Sequence, residues 1–384
     1  MIEADKFITA AKSHSFFSYT GVPCSFLTPF INNVINDNEL DYICSANEGD
    51  AIATAAGMAI AGKKTIVMLQ NSGLGNAVSP ITSLLYTFKI PVLLIITLRG
   101  DPASNDELQH ELMGRITEDL LNLMEIGWEY FPDDSENIIP ALGRAVNHMA
   151  DKNQSYAFIM KKGSVKSDQL STPLVSKNKL DNELYIESLT SLDKQPSRQE
   201  VLSFLQSKTN QQNSILLAST GYTGRELYAL GDRKNQLYMV GSMGCASSLG
   251  LGLAIAKPDK SVVVIEGDGA AIMRMGNIAT VGHYGDKNYF HIILDNEQHD
   301  STGGQSTVSA GMNFAKIAQA CGYPVTYFGN SIEMVNRLLI ENQNIGPKLI
   351  HLKIKPGTMS KLPRPSDPPH QVVRRLMTQL SSSL

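Results

Sequence analysis

A chain of 384 residues with 42% hydrophobic content is long enough for two or three domains, each with its own core. A net charge of −4 with no basic stripe excludes a nucleic-acid surface. Cys24, Cys44, Cys245 and Cys321 are too scattered for a zinc pattern or a disulfide framework, so reduced thiols in a cytoplasmic protein are expected.

Residues 3–18 read as an amphipathic helix with acids early and no long apolar core, so no secretory signal is expected. The apolar run IPVLLIITL is strand-sized, and no membrane span is expected. Leu40 to Ser45 reads as a short strand, followed by Ala46-Asn47-Glu48-Gly49-Asp50 and an alanine-rich helix to Ala61. Glu48 and Asp50 suit the positive end of that helix. Strands at Thr65–Leu69, Pro91–Thr97 and Tyr156–Met160 alternate with helices up to Phe88 and over Gly114–Met124. That alternation predicts an α/β domain with a mainly parallel sheet over residues 1–165.

Residues 166–196, rich in Ser, Lys, Asn and Asp, read as a linker. A second α/β domain is expected over 197–384. Its strands are Ser214–Ala218, Leu237–Val240, Val262–Ile265, Tyr289–Leu294 and Lys348–Ile354. A helix is expected from Ala270 to His283. The tail KPGTMSKLPRPSDPPHQ is proline-rich, and a helix over Val372–Leu380 ends the chain.

Chemistry concentrates where Val262–Ile265 stops at Gly267-Asp268-Gly269 and the next strand stops at Asp295-Asn296. Right-handed crossovers bring both strand ends to one sheet edge, where ligands of open parallel sheets sit. Asp268 and Asn296 are hard oxygen donors suited to Mg²⁺ and phosphate. Gly267 and Gly269 let the backbone approach an anion, Ala270 opens a helix toward it, and Thr220, Gly221 and Ser301-Thr302 add donors. Taken alone, Gly-Asp-Gly is equally a turn. Gly73-Leu74-Gly75 lacks the third glycine of a dinucleotide fingerprint, and no P-loop occurs.

Gly267-Asp268-Gly269 with Asn296, Ala46-Asn47-Glu48-Gly49, and Gly241-Ser242-Met243-Gly244 together resemble the motifs of thiamine diphosphate-dependent 2-oxo acid decarboxylases. Further matching stretches are Gly21 to Cys24, Gln70 to Asn76, Gln109 to Gly114 and His299 to Gln305. They look closest to the branch acting on phosphonopyruvate, with the sulfopyruvate branch near it. The resemblance implies two doubly wound parallel-sheet domains, pyrimidine-binding and diphosphate-binding, without a middle domain. It implies thiamine diphosphate and Mg²⁺, with the metal on Asp268, Asn296 and the Gln298 carbonyl, a position held by Gly in many relatives. Glu48 would activate the cofactor, Met243 would wedge beneath it, and the Gly241 carbonyl would meet its amino group. His110, His299 and Asp300 would handle protons at the reacting centre. Arg274 would take the phosphonate, with Ser25 and Asn71 as neutral donors. A homodimer or larger homo-oligomer with shared active sites is implied, along with a small 2-oxo acid (phosphonopyruvate) as substrate. A carboligase and a non-catalytic cofactor-binding subunit remain open alternatives.

Overall fold

The computed structural model describes residues 1–172, 184–191 and 195–381, and the chain divides into two compact units, Met1–Ser176 and Lys177–Leu384. In the first unit the strands are β1 (Phe16–Gly21), β2 (Asp41–Cys44), β3 (Lys64–Gln70), β4 (Leu93–Thr97), β5 (Gly127–Tyr130) and β6 (Tyr156–Met160). They form one sheet in the order β2-β1-β3-β4-β6-β5, parallel throughout. The central runs are unbroken and apolar because both faces are covered: every residue of β4 and β6 is buried. On one face Phe7, Phe30, Phe131 and Phe158 interlock edge to face, which joins the helices Ala4–Ser13 and Thr28–Asn36 to the sheet.

The second unit contains β7 (Leu184–Ser188), β8 (Ser214–Ala218), β9 (Gln236–Tyr238), β10 (Ser261–Gly267), β11 (Tyr289–Asp295), the short pair β12 (Gln298–His299) and β13 (Gln305–Ser306), β14 (Val325–Gly329) and β15 (Lys348–Lys353). Seven of these make a parallel sheet ordered β7-β14-β15-β11-β10-β8-β9. β12 and β13 pair antiparallel outside it. Both units are therefore doubly wound, and no middle domain separates them.

Strand order fixes where each unit can bind. The first sheet reverses direction between β1 and β3, and the second between β8 and β10. Gly21–Cys24 and Asn71–Gly73 leave the first switch point; Ser219–Gly221 and Gly267–Gly269 leave the second.

Three differences from the expected elements matter. The segment expected to be one helix over 270–283 is two, Asp268–Met273 and Asn277–Tyr284, broken where Arg274 leaves helical geometry at φ −132°. The polar stretch read as a linker lies partly outside the described residues, and its Leu184–Ser188 portion is an edge strand on β14. The strand at 16–21 begins inside the helix expected over 3–18, because Ser15 turns the chain at φ 68°. Among the described residues no helix is long and apolar enough to cross a membrane.

Candidate active site

In the second unit, Asp268 is the first helical residue after β10, and it is buried at 2% exposure. Its Oδ2 accepts from Thr307 Oγ1 at 2.5 Å and lies 3.0 Å from Ser309 Oγ. Ser309 Oγ is also 2.7 Å from Asp295 Oδ1, and a hydroxyl has one proton to give. Burial raises the Asp268 pKa, and the nearby Asp295 charge adds to it. A buried carboxylate pushed toward protonation by its surroundings is one that a cation at the same edge would relieve.

Asp295, one residue before the candidate ligand Asn296, is fully buried and heavily compensated. It accepts from His351 Nε2 at 2.7 Å, Lys353 Nζ at 2.8 Å and the Glu297 amide at 3.0 Å. Burial alone would raise its pKa, but these bonds outweigh it and hold the carboxyl well below the usual range. Burial lowers the pKa of His351 despite the opposing pull of Asp295. Glu297 adopts φ 60°, a conformation most side chains avoid, and the next residue, Gln298, lines the pocket.

Asn296 donates from Nδ2 to Asp300 Oδ2 at 2.6 Å, while its Oδ1 accepts from the Gln298 amide at 3.2 Å. Asp300, expected to handle protons, is tied into a hydrogen-bonded network. The same Oδ2 also accepts from Arg198 at 2.7 Å and from the Gly357 amide at 3.3 Å. Arg198 is 7% exposed and also bonds Glu226 at 3.1 Å. Held by the buried Arg198 guanidinium, Asp300 aims the Asn296 amide, so the amide oxygen faces away from that bond.

A pocket at this switch point is lined by Thr220, Gly221, Gly267, Gly269, Asn296 and Gln298, with Met243 and His299 also on its wall. A Cβ at Gly269 would sit 2.4 Å from His299 Cε1, so any side chain there would push the imidazole aside. Ser242 at φ 50° and Gly244 at φ 86° kink the loop that presents Met243. Gly241 is half-buried on that loop. Thr302 does not line the pocket; its hydroxyl is engaged with the His299 carbonyl at 3.2 Å and Gln305 Oε1 at 2.9 Å, and Ser301 takes its place. Arg274 is also off this wall, its Cγ lying 3.0 Å from where a Cβ of Gly244 would be.

In the first unit, Glu48 opens the helix Glu48–Ile60, whose cap is Asn47 accepting from the Gly49 amide at 2.7 Å. Glu48 Oε2 accepts from Asn76 Nδ2 at 2.8 Å. Its side chain passes over Gly73, where a Cβ would be 2.5 Å from the carboxyl carbon. Ser25 is exposed after β1, and His110 sits after β4 with its side chain 12% exposed. Glu48, Ser25 and His110 thus share the carboxyl edge of one sheet. Asn71 does not serve as a substrate donor: it is fully buried, and its amide binds the Arg99 carbonyl at 2.8 Å and Thr117 Oγ1 at 3.0 Å. Arg99 makes a two-pronged ion pair with Asp106, at 2.7 and 2.6 Å, and lies over the Phe26 ring.

Sequence reasoning missed Thr307, Ser309, Arg198, Lys353 and His351, and gave Gly73 and Asn76 no role beyond their matching stretch. Asp295 adjoins a named ligand and was legible; the others are joined to the site only by folding. Among the described residues no three His, Cys, Asp or Glu side chains cluster for a metal. The candidate ligand set of one carboxylate, one amide oxygen and a backbone carbonyl is of a different kind.

Family models describe two parts of this chain: "Thiamine pyrophosphate enzyme, N-terminal TPP binding domain" over residues 3–121 and "Thiamine pyrophosphate enzyme, C-terminal TPP binding domain" over residues 222–352. A phosphonopyruvate decarboxylase of Streptomyces viridochromogenes is 38% identical over 98% of this chain and 94% of its own. A sulfopyruvate decarboxylase of Methanosarcina acetivorans is 27% identical over 84% of each chain. The solved thiamine diphosphate-dependent 4-hydroxybenzoylformate decarboxylase of Rhodococcus jostii superposes with a TM-score of 0.70 over 94% of this chain and 100% of that one. At 12% identity that likeness concerns the fold alone.

Proposed function

The chain belongs to the thiamine pyrophosphate enzymes and is a decarboxylase of that family; we propose that it converts phosphonopyruvate to phosphonoacetaldehyde and CO₂ with thiamine diphosphate and Mg²⁺. The observation that carries the reading is the second unit's switch point. There a buried Asp268, raised in pKa by burial, stands with an Asn296 whose amide is locked by Asp300 and Arg198. Near-full-length similarity to a phosphonopyruvate decarboxylase supports the substrate.

The residues fit the group. Asp268, the Asn296 oxygen and the Gln298 carbonyl would hold Mg²⁺, a hard-oxygen set that leaves places for phosphate oxygens and water. Thr220, Gly221, Gly267, Gly269 and Ala270 would seat the diphosphate, and Met243 with Gly241 the pyrimidine. When bound, thiamine diphosphate supplies the electron sink that lets the bond to CO₂ break. Glu48, whose Oε2 accepts from the neutral Asn76 amide, would be the proton-exchanging partner of the pyrimidine. His110 and His299 would be the groups that move protons at the reacting carbon.

The protein works as a homo-oligomer, in which residues of one copy complete the site of another. Support comes from the exposed Val240, Met273 and Met275 around the second unit's edge and Leu108 and Leu112 beside His110, large apolar side chains that a second copy would cover.

The Methanosarcina acetivorans relative gives the second reading, in which sulfopyruvate is the substrate. CO₂ release from phosphonopyruvate, sulfopyruvate and pyruvate, each at equal concentration with cofactor and Mg²⁺, separates them. We expect phosphonopyruvate to lead; preference for either other acid overturns the reading.

A further inference from the structure

Beside the diphosphate pocket lies a larger cavity of about 450 Å³ that shares Thr220, Gly221, Tyr222 and Ser301 with it. Its outer wall is the proline-rich tail, which contributes Arg364 and Asp367, and Arg225 faces it from the helix Tyr222–Ala229.

That helix grips the tail at three residues. Arg225 donates to the carbonyls of Leu362 and, at 3.2 Å, of Pro363. Glu226 Oε1 accepts from Thr358 Oγ1 at 2.7 Å and from the Met359 amide at 3.4 Å. Tyr228 and Ser366 exchange hydrogen bonds at 3.1 and 3.2 Å. Prolines 363 and 365 bracket Arg364, so the backbone on either side has few conformations to lose.

The two arginines of this wall have different employment. Arg225 is spent on tail carbonyls, whereas among the described residues no hydrogen bond or ion pair engages Arg364. The one carboxylate of the wall, Asp367, is 3.8 Å from Arg375. An exposed guanidinium on a braced strap, lining a cavity that has hydroxyl-bearing residues and shares four lining residues with the cofactor pocket, suits a tetrahedral oxyanion. Arg274 lines neither cavity.

We propose that Arg364 recognises the acidic head group of the substrate, phosphonate or sulfonate, and is the residue by which this enzyme distinguishes such 2-oxo acids from pyruvate. Arg225 is the positioning residue that holds its strap. The inference rests on the function proposed above.

The test uses the cofactor-loaded full chain as wild type, Arg364→Met and Arg364→Lys. In Arg364→Met the ratio of kcat/KM for phosphonopyruvate to that for pyruvate falls about 100-fold, mainly through KM, and Lys restores part of it. Calorimetric binding of 3-phosphonopropanoate weakens about 10-fold or more in Arg364→Met. A ratio within twofold of wild type, or equal losses with both substrates in a variant of unchanged melting temperature, overturns the inference. Failure of the substrate reading appears separately, in the wild type. If sulfopyruvate is preferred there, its ratio to pyruvate is followed instead, and the same fall still supports Arg364.

Discussion

The two switch points share an architecture and differ in how their working residues are held. In the second unit, Asp268, Asp295, Asn296 and Asp300 sit in a buried mesh tied by Arg198, Lys353, His351, Thr307 and Ser309. In the first, half-buried Glu48 meets a single neutral amide, Asn76, and passes over Gly73. The contrast follows from the jobs proposed for them. A metal–diphosphate group has fixed charge, so its cradle can be made of fixed charges whose burial cost is offset by permanent partners. A carboxyl that gains and loses a proton cannot be locked to a cation without losing that freedom.

Removing the fixed charge tests the first half of that contrast and should have the largest effect. Asp268→Ala is expected to lower activity at least about 1,000-fold, because the metal and the diphosphate are lost together. Calorimetry should then show no Mg²⁺-dependent binding of thiamine diphosphate. Retained Mg²⁺-dependent binding would mean that the buried mesh is structural and that the metal lies elsewhere.

The second half predicts a different signature. Glu48→Gln keeps the shape and the Asn76 neighbourhood, so cofactor affinity should stay within a few-fold while kcat falls about 100- to 1,000-fold. Gly73→Ala places a methyl 2.5 Å from the Glu48 carboxyl and should lower kcat about 10-fold or more through that displacement. If Gly73 acts only through Glu48, adding Gly73→Ala to Glu48→Gln should cost little further. Fully additive losses in that cycle would show that Gly73 matters for another reason.

How far the sequence announced this depended on the range of each contact. Gly267-Asp268-Gly269 and Asp295-Asn296 were legible because glycines and strand ends are local signals, and Glu48 because its helix start is local too. Arg198 was not, since the carboxylate it holds is 102 residues away. Thr307 and Ser309 are 39 and 41 residues from Asp268, in a stretch with nothing in its composition to mark it. Buried central strands stood out as apolar runs. The edge strands β5 and β7 did not, because their residues are half-exposed and carry no such run. The break at Arg274 was hidden as well, since the residues on either side of it all tolerate a helix.

The smallest effect sharpens the comparison from the side of the first unit. A two-pronged ion pair of that unit, Arg99–Asp106, lies in the loop that carries His110. The Arg99 guanidinium, with the Gly100 and Glu107 amides, holds the Asp106 carboxyl well below the usual carboxylate range. A carboxylate whose folded pKa is depressed contributes stability fully above its unfolded value of about 3.9, and that contribution is lost as pH falls toward the folded value. Asp106→Asn is therefore expected to cost about 2 kcal/mol at pH 7. In denaturant titrations across pH the gap from wild type should stay constant down to about pH 4 and close only below it. Turnover should fall only a few-fold, because the pair braces the loop and leaves His110 itself intact. A gap near zero at every pH would mean that Asp106 is paired weakly, and that this loop is held by packing rather than by charge.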